Sequence, residues 1–266
     1  MAIKIEELQQ AAAPQGTDSL LLESVSAGTA RLSLTDLARF LTEQDNAVKT
    51  ALSNKAALSA QQTVEKTGVT SRTVEVAAPE LLDFILSLPR LLTENLTIKS
   101  SGTAGTLDIG RFYGPGSLTV AAKAGETLTI GSVYASGNRA PVSFSGSKFQ
   151  GAQPYSSTFL TIHSSALFTL NGCAVQGTGK TFDAVNASAS SVCLNECGFT
   201  GVNRVVIPGC GAMVSFYNCT ASDNSVGVFG AGGIVLLAGT TPPLLGGVSN
   251  GRHSGGLIVK ADGTLI

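Results

Sequence analysis

Short alternations of apolar and polar residues recur along the last two thirds of the chain. Four of them align without gaps and start at Val142, Phe168, Val192 and Val214, which lie 26, 24 and 22 residues apart. In each copy an apolar-x-apolar triplet is followed by a polar pair, a small residue and one more inward position. A period of two predicts short strands whose first and third side chains point inward.

The spacing of these copies predicts the architecture. Three short strands and their turns use roughly 20 to 25 residues, which is one coil of a parallel β-helix. No coil can bury its apolar face until its neighbours stack on it. The sequence therefore predicts a mainly β protein in which residues 96–266 form a right-handed parallel β-helix of about six or seven coils.

Equivalent positions of successive coils should stack in ladders. The predicted core ladder is Phe144, Leu170, Leu194 and Phe216, and a second ladder of small residues is Ser147, Cys173, Cys197 and Cys219. The number of stacked cysteines is similar to the number of ligands in a metal site, but no histidine accompanies them and no C-x-x-C motif occurs. We therefore interpret them as small core side chains, and we predict neither a metal nor a cofactor.

The chain before the repeats differs in composition, since it holds most of the acidic residues and few of the 31 glycines. Residues 1–40 predict a small α+β module with strands at 19–25 and 29–34. Residues 41–70 predict a helical linker, because the part up to residue 66 lacks Gly and Pro. Its rough heptad leaves two interpretations open, a trimeric coiled coil and a solvated helix.

Residues 71–95 predict a segment that caps the β-helix. A strand is expected at 73–76, and Pro79 should begin a short amphipathic helix. A helix directly before a repeat array can cover the open apolar end of the first coil.

Charge limits the partners that the chain is expected to have. The net charge is −1 and only 13% of the residues are charged, so nothing indicates a nucleic-acid partner. No apolar run approaches the roughly 20 residues of a membrane-spanning helix. The N-terminus does not resemble a signal peptide. We therefore expect no membrane insertion and assembly in a bacterial cytoplasm.

The acidic residues of the predicted β-helix are few, and no two of them are close in sequence: Asp108, Glu126, Asp183, Glu196, Asp223 and Asp262. Enzymes that cleave glycans generally need a pair of carboxylates. The sequence therefore predicts no catalytic residue, although neighbouring coils could still bring two acids together.

Besides cleavage, a second function to consider for the surface of the predicted β-helix is binding of a glycan. Six residues in or beside longer turns are candidates for it: Phe112, Tyr113, Tyr134, Asn138, Arg139 and Tyr155. Aromatic rings of this kind stack on sugars, but they also pack between the chains of an oligomer.

Several segments resemble a known family. Residues 82–90, Leu96-Thr97-Ile98 and residues 112–120 resemble the start of the β-helix in bacteriophage and prophage tail fibres and tailspikes with pectate-lyase-like folds. Residues 18–37 are similar to the particle-attachment module of such fibres, and residues 226–240 resemble their closing coils.

This resemblance implies a structural virion appendage, a tail fibre, spike or baseplate-associated fibre, that contributes to viral attachment to the host surface. It implies a homotrimer whose N-terminus binds other tail, baseplate or particle proteins, with the β-helix pointing outward toward a host glycan. The charge-poor outer faces of the repeats also favour a homotrimer joined along the flanks of the β-helix. Two alternatives are a glycan depolymerase on the same scaffold and a bacterial surface adhesin.

Overall fold

The structure, a computed structural model, describes residues 19–24, 28–33, 69–151, 157–253, 256–260 and 262–265. The chain divides into two units, Met1–Gly68 and Val69–Ile266. In the first unit, β1 (Ser19–Ser24) and β2 (Gly28–Ser33) pair antiparallel, which confirms the two strands expected there. The predicted helical linker at 41–70 lies outside the described residues as far as residue 68.

The second unit begins with a strand, a helical turn and a helix. These are β3 (Ser71–Glu75), a 3-10 turn (Ala78–Glu80) and α1 (Leu81–Ser87). The strands that follow are β4 (Asn95–Ser100), β5 (Gly102–Gly110), β6 (Ser117–Ala122), β7 (Leu128–Ser136), β8 (Val142–Ser145), β9 (Ser147–Phe149), β10 (Thr158–His163), β11 (Phe168–Asn171), β12 (Ala174–Gln176), β13 (Asp183–Ser188), β14 (Ser191–Asn195), β15 (Gly198–Thr200), β16 (Arg204–Gly209), β17 (Met213–Tyr217), β18 (Thr220–Ser222), β19 (Val226–Ala231), β20 (Ile234–Ala238), β21 (Ser249–His253) and β22 (Leu257–Lys260).

All of these strands pair in parallel with the equivalent strands of neighbouring coils. Face A is the nine-stranded sheet β3, β4, β6, β8, β11, β14, β17, β20 and β22. The strands β5 and β7 are long, and the two halves of each belong to two different stacks of parallel strands. Face B consists of their first halves with β9, β12, β15 and β18, and face C of their second halves with β10, β13, β16, β19 and β21. The unit is therefore a parallel β-solenoid of about 8 turns.

The solenoid is longer than the six or seven coils predicted from the repeats. The difference arises at its N-terminal end, where β3 pairs with β4 and so adds a strand before residue 95 to face A. In that first turn α1 takes the place of the strands of faces B and C. Its Leu81 and Ile85 are buried in the hydrophobic core and cover the apolar end of the next coil.

The core is built from ladders of identical register. Leu170 pairs with Phe144 on one side and with Leu194 on the other, and Leu194 pairs with Phe216. All four side chains are fully buried. Burial of each such side chain contributes about 1.5–3 kcal/mol relative to leaving it in water. Stability therefore grows with the number of stacked coils, as it does in other solenoids.

The polar pair of the repeat forms the corner between faces A and B. Its second residue has a positive φ in four successive coils: Gly146 (63°), Gly172 (57°), Glu196 (54°) and Asn218 (51°). A residue in this left-handed conformation bends the chain sharply, and glycine adopts it without strain. The corner thus explains why small or polar residues occupy this position.

Candidate functional site

The six acidic residues of positions 96–266 occupy separate environments, whereas Glu75, Glu80 and Asp83 of the capping segment line one depression. Asp183 is buried, and both of its oxygens accept hydrogen bonds from Arg204, at 2.8 Å from Nε and 2.6 Å from Nη2. Asp223 forms an exposed ion pair with Lys180. The remaining four acids are exposed: Asp108, Glu126, Glu196 and Asp262.

The Asp183–Arg204 pair is a structural element of face C. Asn203 donates a third hydrogen bond to Asp183, at 3.1 Å, and the Arg204 guanidinium lies 4.9 Å from the centroid of the Phe229 ring. The bonds to Asp183 raise the pKa of Arg204 above its usual value. A buried carboxylate held in this way is compensated by its donors.

The cysteines of the small-residue ladder lie inside the solenoid with Ser147. Cys173, Cys197 and Cys219 are buried, and their thiols contact backbone carbonyls of the preceding coil at 3.2–3.6 Å. Hydrogen bonding to the thiol of Cys173, and then to that of Cys219, raises the pKa of Cys197, and burial raises it further. The same hydrogen bonds lower the pKa of Cys173 and of Cys219. The Cys197 thiol is therefore the poorest nucleophile and metal ligand of the three.

Two of the six predicted glycan-contact residues are placed differently from expectation. Phe112 and Asn138 are fully buried, so neither can present a side chain to a ligand. The Asn138 side chain accepts a hydrogen bond from the Phe112 amide at 3.0 Å and donates one to the Ile109 carbonyl at 2.9 Å. These backbone groups lie at a buried corner, where an unpaired polar group would be costly. Asn138 therefore serves the fold.

The other four predicted contacts are not buried where the structure describes them. Tyr113, Tyr134 and Arg139 are exposed, and Tyr155 lies outside the described residues. Of these, Tyr134 lines a depression in the surface, and it does so on face C and not in a turn.

This depression lies between α1 and face C, and we call it the cap groove. It encloses about 520 Å³, and its lining residues are Leu82, Thr106, Asp108, Ser132, Val133, Tyr134, Thr158 and Thr161. Binding pockets for small ligands typically measure about 300–1,000 Å³. The cap groove is within this range.

A second depression of about 300 Å³ adjoins the cap groove and shares Asp108 and Tyr134 with it. We call it the arginine end, because Arg90 and Arg111 line it together with Leu86, Gly110 and Ser136. Arg90 donates a hydrogen bond to the Gly110 carbonyl, and its guanidinium lies 5.7 Å from the centroid of the Phe112 ring. Neither arginine forms an ion pair with a carboxylate that the structure describes.

The parallel register brings the polar residues of the cap groove together. Asp108 of β5 pairs with Tyr134 of β7, which pairs with Thr161 of β10. One position earlier on the same face, the hydroxyls of Thr106 and Ser132 are 2.9 Å apart. The groove therefore combines an exposed aromatic ring, hydroxyls and one carboxylate, which suits binding of a polar ligand with an apolar face.

Sequence reasoning identified only Tyr134 among these residues as a contact. Contacts were expected in the turns, whereas the groove consists mainly of strand residues next to a helix. The sequence feature that could have indicated the groove is the polar alternation Thr106-x-Asp108 in β5, which is followed by Arg111. The position of α1 beside it has no signature in the local sequence.

Comparison with known proteins gives no relative: no family model, no curated protein and no solved structure matches the chain. Within the described part of the chain, no helix is long and apolar enough to cross a membrane. The same residues contain no group of three or more His, Cys, Asp or Glu side chains arranged to hold a metal ion.

Proposed function

We propose that this chain is a structural subunit of a virion appendage, a tail fibre or spike, that forms a homotrimer and contributes to attachment to a host surface. The observation that carries the proposal is the central row of outward side chains on face A, which carries no charge. The positions of this row are in register across seven coils: Thr73, Thr97, Thr119, Ser143, Thr169, Cys193 and Ser215. Small neutral side chains in straight rows allow close packing of one flank against another.

Exposed apolar residues on the same face support self-association. Met213, Ile234 and Leu257 occupy one register position in three successive coils and are 46%, 38% and 43% exposed. Rows of exposed apolar residues mark interaction surfaces. A closed threefold assembly would cover this row in every copy.

The resemblance to phage tail fibres supports the assignment to a virion. In this proposal residues 1–40 bind other particle proteins and the solenoid extends outward. Immunogold electron microscopy of particles with an antibody against the solenoid tests the location. Loss of host adsorption in particles that lack the chain tests the attachment role. Particles that bear no label, or that adsorb normally without the chain, would contradict the proposal.

The assembly is tested by light scattering on the full chain. We expect a mass of three times the 27.0 kDa chain, and Ile234→Lys should convert the trimer to monomers by placing a charge in the apolar row. Val248→Lys is the matched control, because Val248 is 84% exposed and lies outside face A. A monomeric wild-type chain would refute the trimer.

A further inference from the structure

The cap groove and the arginine end form one continuous depression with two chemically different parts. We propose that it binds an acidic saccharide, a sugar chain that carries carboxylates such as uronic acids. This inference rests on the proposed attachment role and names the class of ligand that the surface takes.

The cap groove matches the uncharged part of such a ligand. A sugar ring has a face of C–H groups, and the 44% exposed ring of Tyr134 with the partly buried Leu82 provides an apolar surface for it. Its hydroxyls need hydrogen-bond partners, which Thr161 and the carboxylate of Asp108 can supply. Together these groups contact both kinds of sugar surface.

The arginine end matches the acidic part. A guanidinium binds a carboxylate through two parallel hydrogen bonds. Arg90 is held by the Gly110 carbonyl and the Phe112 ring, so its remaining N–H groups are oriented before a ligand arrives. Arg111 is exposed and lines the same depression.

Asp108 determines where the acidic group of the ligand lies. Its carboxylate lines both parts of the depression and repels an anion placed directly beside it. Two arginines against one aspartate leave a net positive charge at the arginine end. The ligand carboxylate therefore belongs at the arginines, while the neighbouring sugar hydroxyls donate to Asp108. A small inorganic anion would fill only the arginine end and leave the Tyr134 ring uncovered, so a sugar chain matches the whole depression better.

Calorimetric titration of the full chain tests the ligand class. The probes are trisaccharides of mannuronate, glucuronate and galacturonate, each compared with its neutral methyl ester. We expect at least one acid form to bind, and its ester to bind at least about tenfold more weakly, which is about 1.4 kcal/mol. Affinity should also fall with rising salt, because the charges are exposed. Failure of every uronate to bind, or equal binding of acid and ester, would overturn the proposal.

Paired variants locate the site. Arg111→Gln and Tyr134→Ala should each weaken binding at least about tenfold. Their matched controls are Arg72→Gln and Tyr217→Ala, which change the same residue types at exposed positions outside the depression and should keep affinity within about twofold. All four positions are exposed, and circular dichroism verifies folding. Equal losses in variants and controls would contradict this location.

The two proposals fail in different ways. If the chain is located on particles and is needed for adsorption, but no uronate binds, the acidic ligand is wrong and the appendage role stands. If uronates bind at the groove but particles lack the chain, the binding site stands and the appendage role is wrong.

Discussion

The ion pair between Asp183 and Arg204 allows a quantitative test of how the solenoid tolerates a buried charge. Asp183 is 1% exposed and receives two hydrogen bonds from Arg204. The substitution Arg204→Met keeps the aliphatic stem and removes the guanidinium. It would leave an unpaired buried carboxylate, which costs about 3–5 kcal/mol. Since the Arg204 side chain is 29% exposed, we expect the lower end, about 3 kcal/mol.

Urea denaturation of the full chain, followed by far-ultraviolet circular dichroism, measures this loss. With an m-value of about 3 kcal/mol per molar urea, the midpoint should fall by about 1 M. An unchanged m-value is required, because fraying of single coils would lower it. The double variant Asp183→Asn with Arg204→Met should be more stable than Arg204→Met alone, because it removes the unpaired charge.

Lys180→Met is the matched control for this substitution. Lys180 forms an ion pair with Asp223 at 2.6 Å, but the two side chains are 39% and 71% exposed. Breaking such a surface pair costs less than about 1 kcal/mol. If Arg204→Met shifts the midpoint no more than Lys180→Met does, or if the double variant is no more stable, the reasoning about the buried charge is refuted.

Three further predictions concern the ladder, the corner and the thiols. Leu194→Ala should lower the unfolding free energy by about 2–5 kcal/mol in the urea assay, because its side chain is fully buried between ladder neighbours. Gly172→Ala should cost about 1–2 kcal/mol at φ 57°, whereas Glu196→Gly in the next coil should stabilise by about 0.5–1 kcal/mol. In the native protein a disulfide reagent should modify exposed Cys210 and spare Cys197, whose pKa is raised by neighbouring thiols and by burial, as mass spectrometry can verify.

Each of these has a control or a contradicting result. Cys193→Ala removes an outward side chain from the strand of Leu194 and should change the unfolding free energy by less than about 0.5 kcal/mol. Equal losses at both positions would contradict the ladder. A destabilising Glu196→Gly would show that the corner is not left-handed there. Modification of Cys197 before Cys210 would contradict its burial.

The repeat pattern of the sequence was sufficient to predict the solenoid and the register of its best copies. Alternation along a strand is a local consequence of backbone geometry, so inward and outward positions follow directly from the residue types. Phe144, Leu170 and Leu194 occupy the same position in three aligned copies of the repeat. Stacking of these copies is enough to pair Leu170 with Phe144 on one side and with Leu194 on the other. The strand at 73–76 and the helix from Pro79 were predictable for similar local reasons.

The tertiary structure alone decided which polar residues are buried and where a ligand could bind. The sequence places Asn138 in a turn and does not indicate that it is buried. It is buried because its side chain forms hydrogen bonds with the Phe112 amide and the Ile109 carbonyl of the neighbouring coil. The cap groove needs Leu82 of α1 beside Asp108 and Tyr134 of two strands. That proximity comes from packing between segments far apart in the chain, which leaves no periodic trace in any one of them.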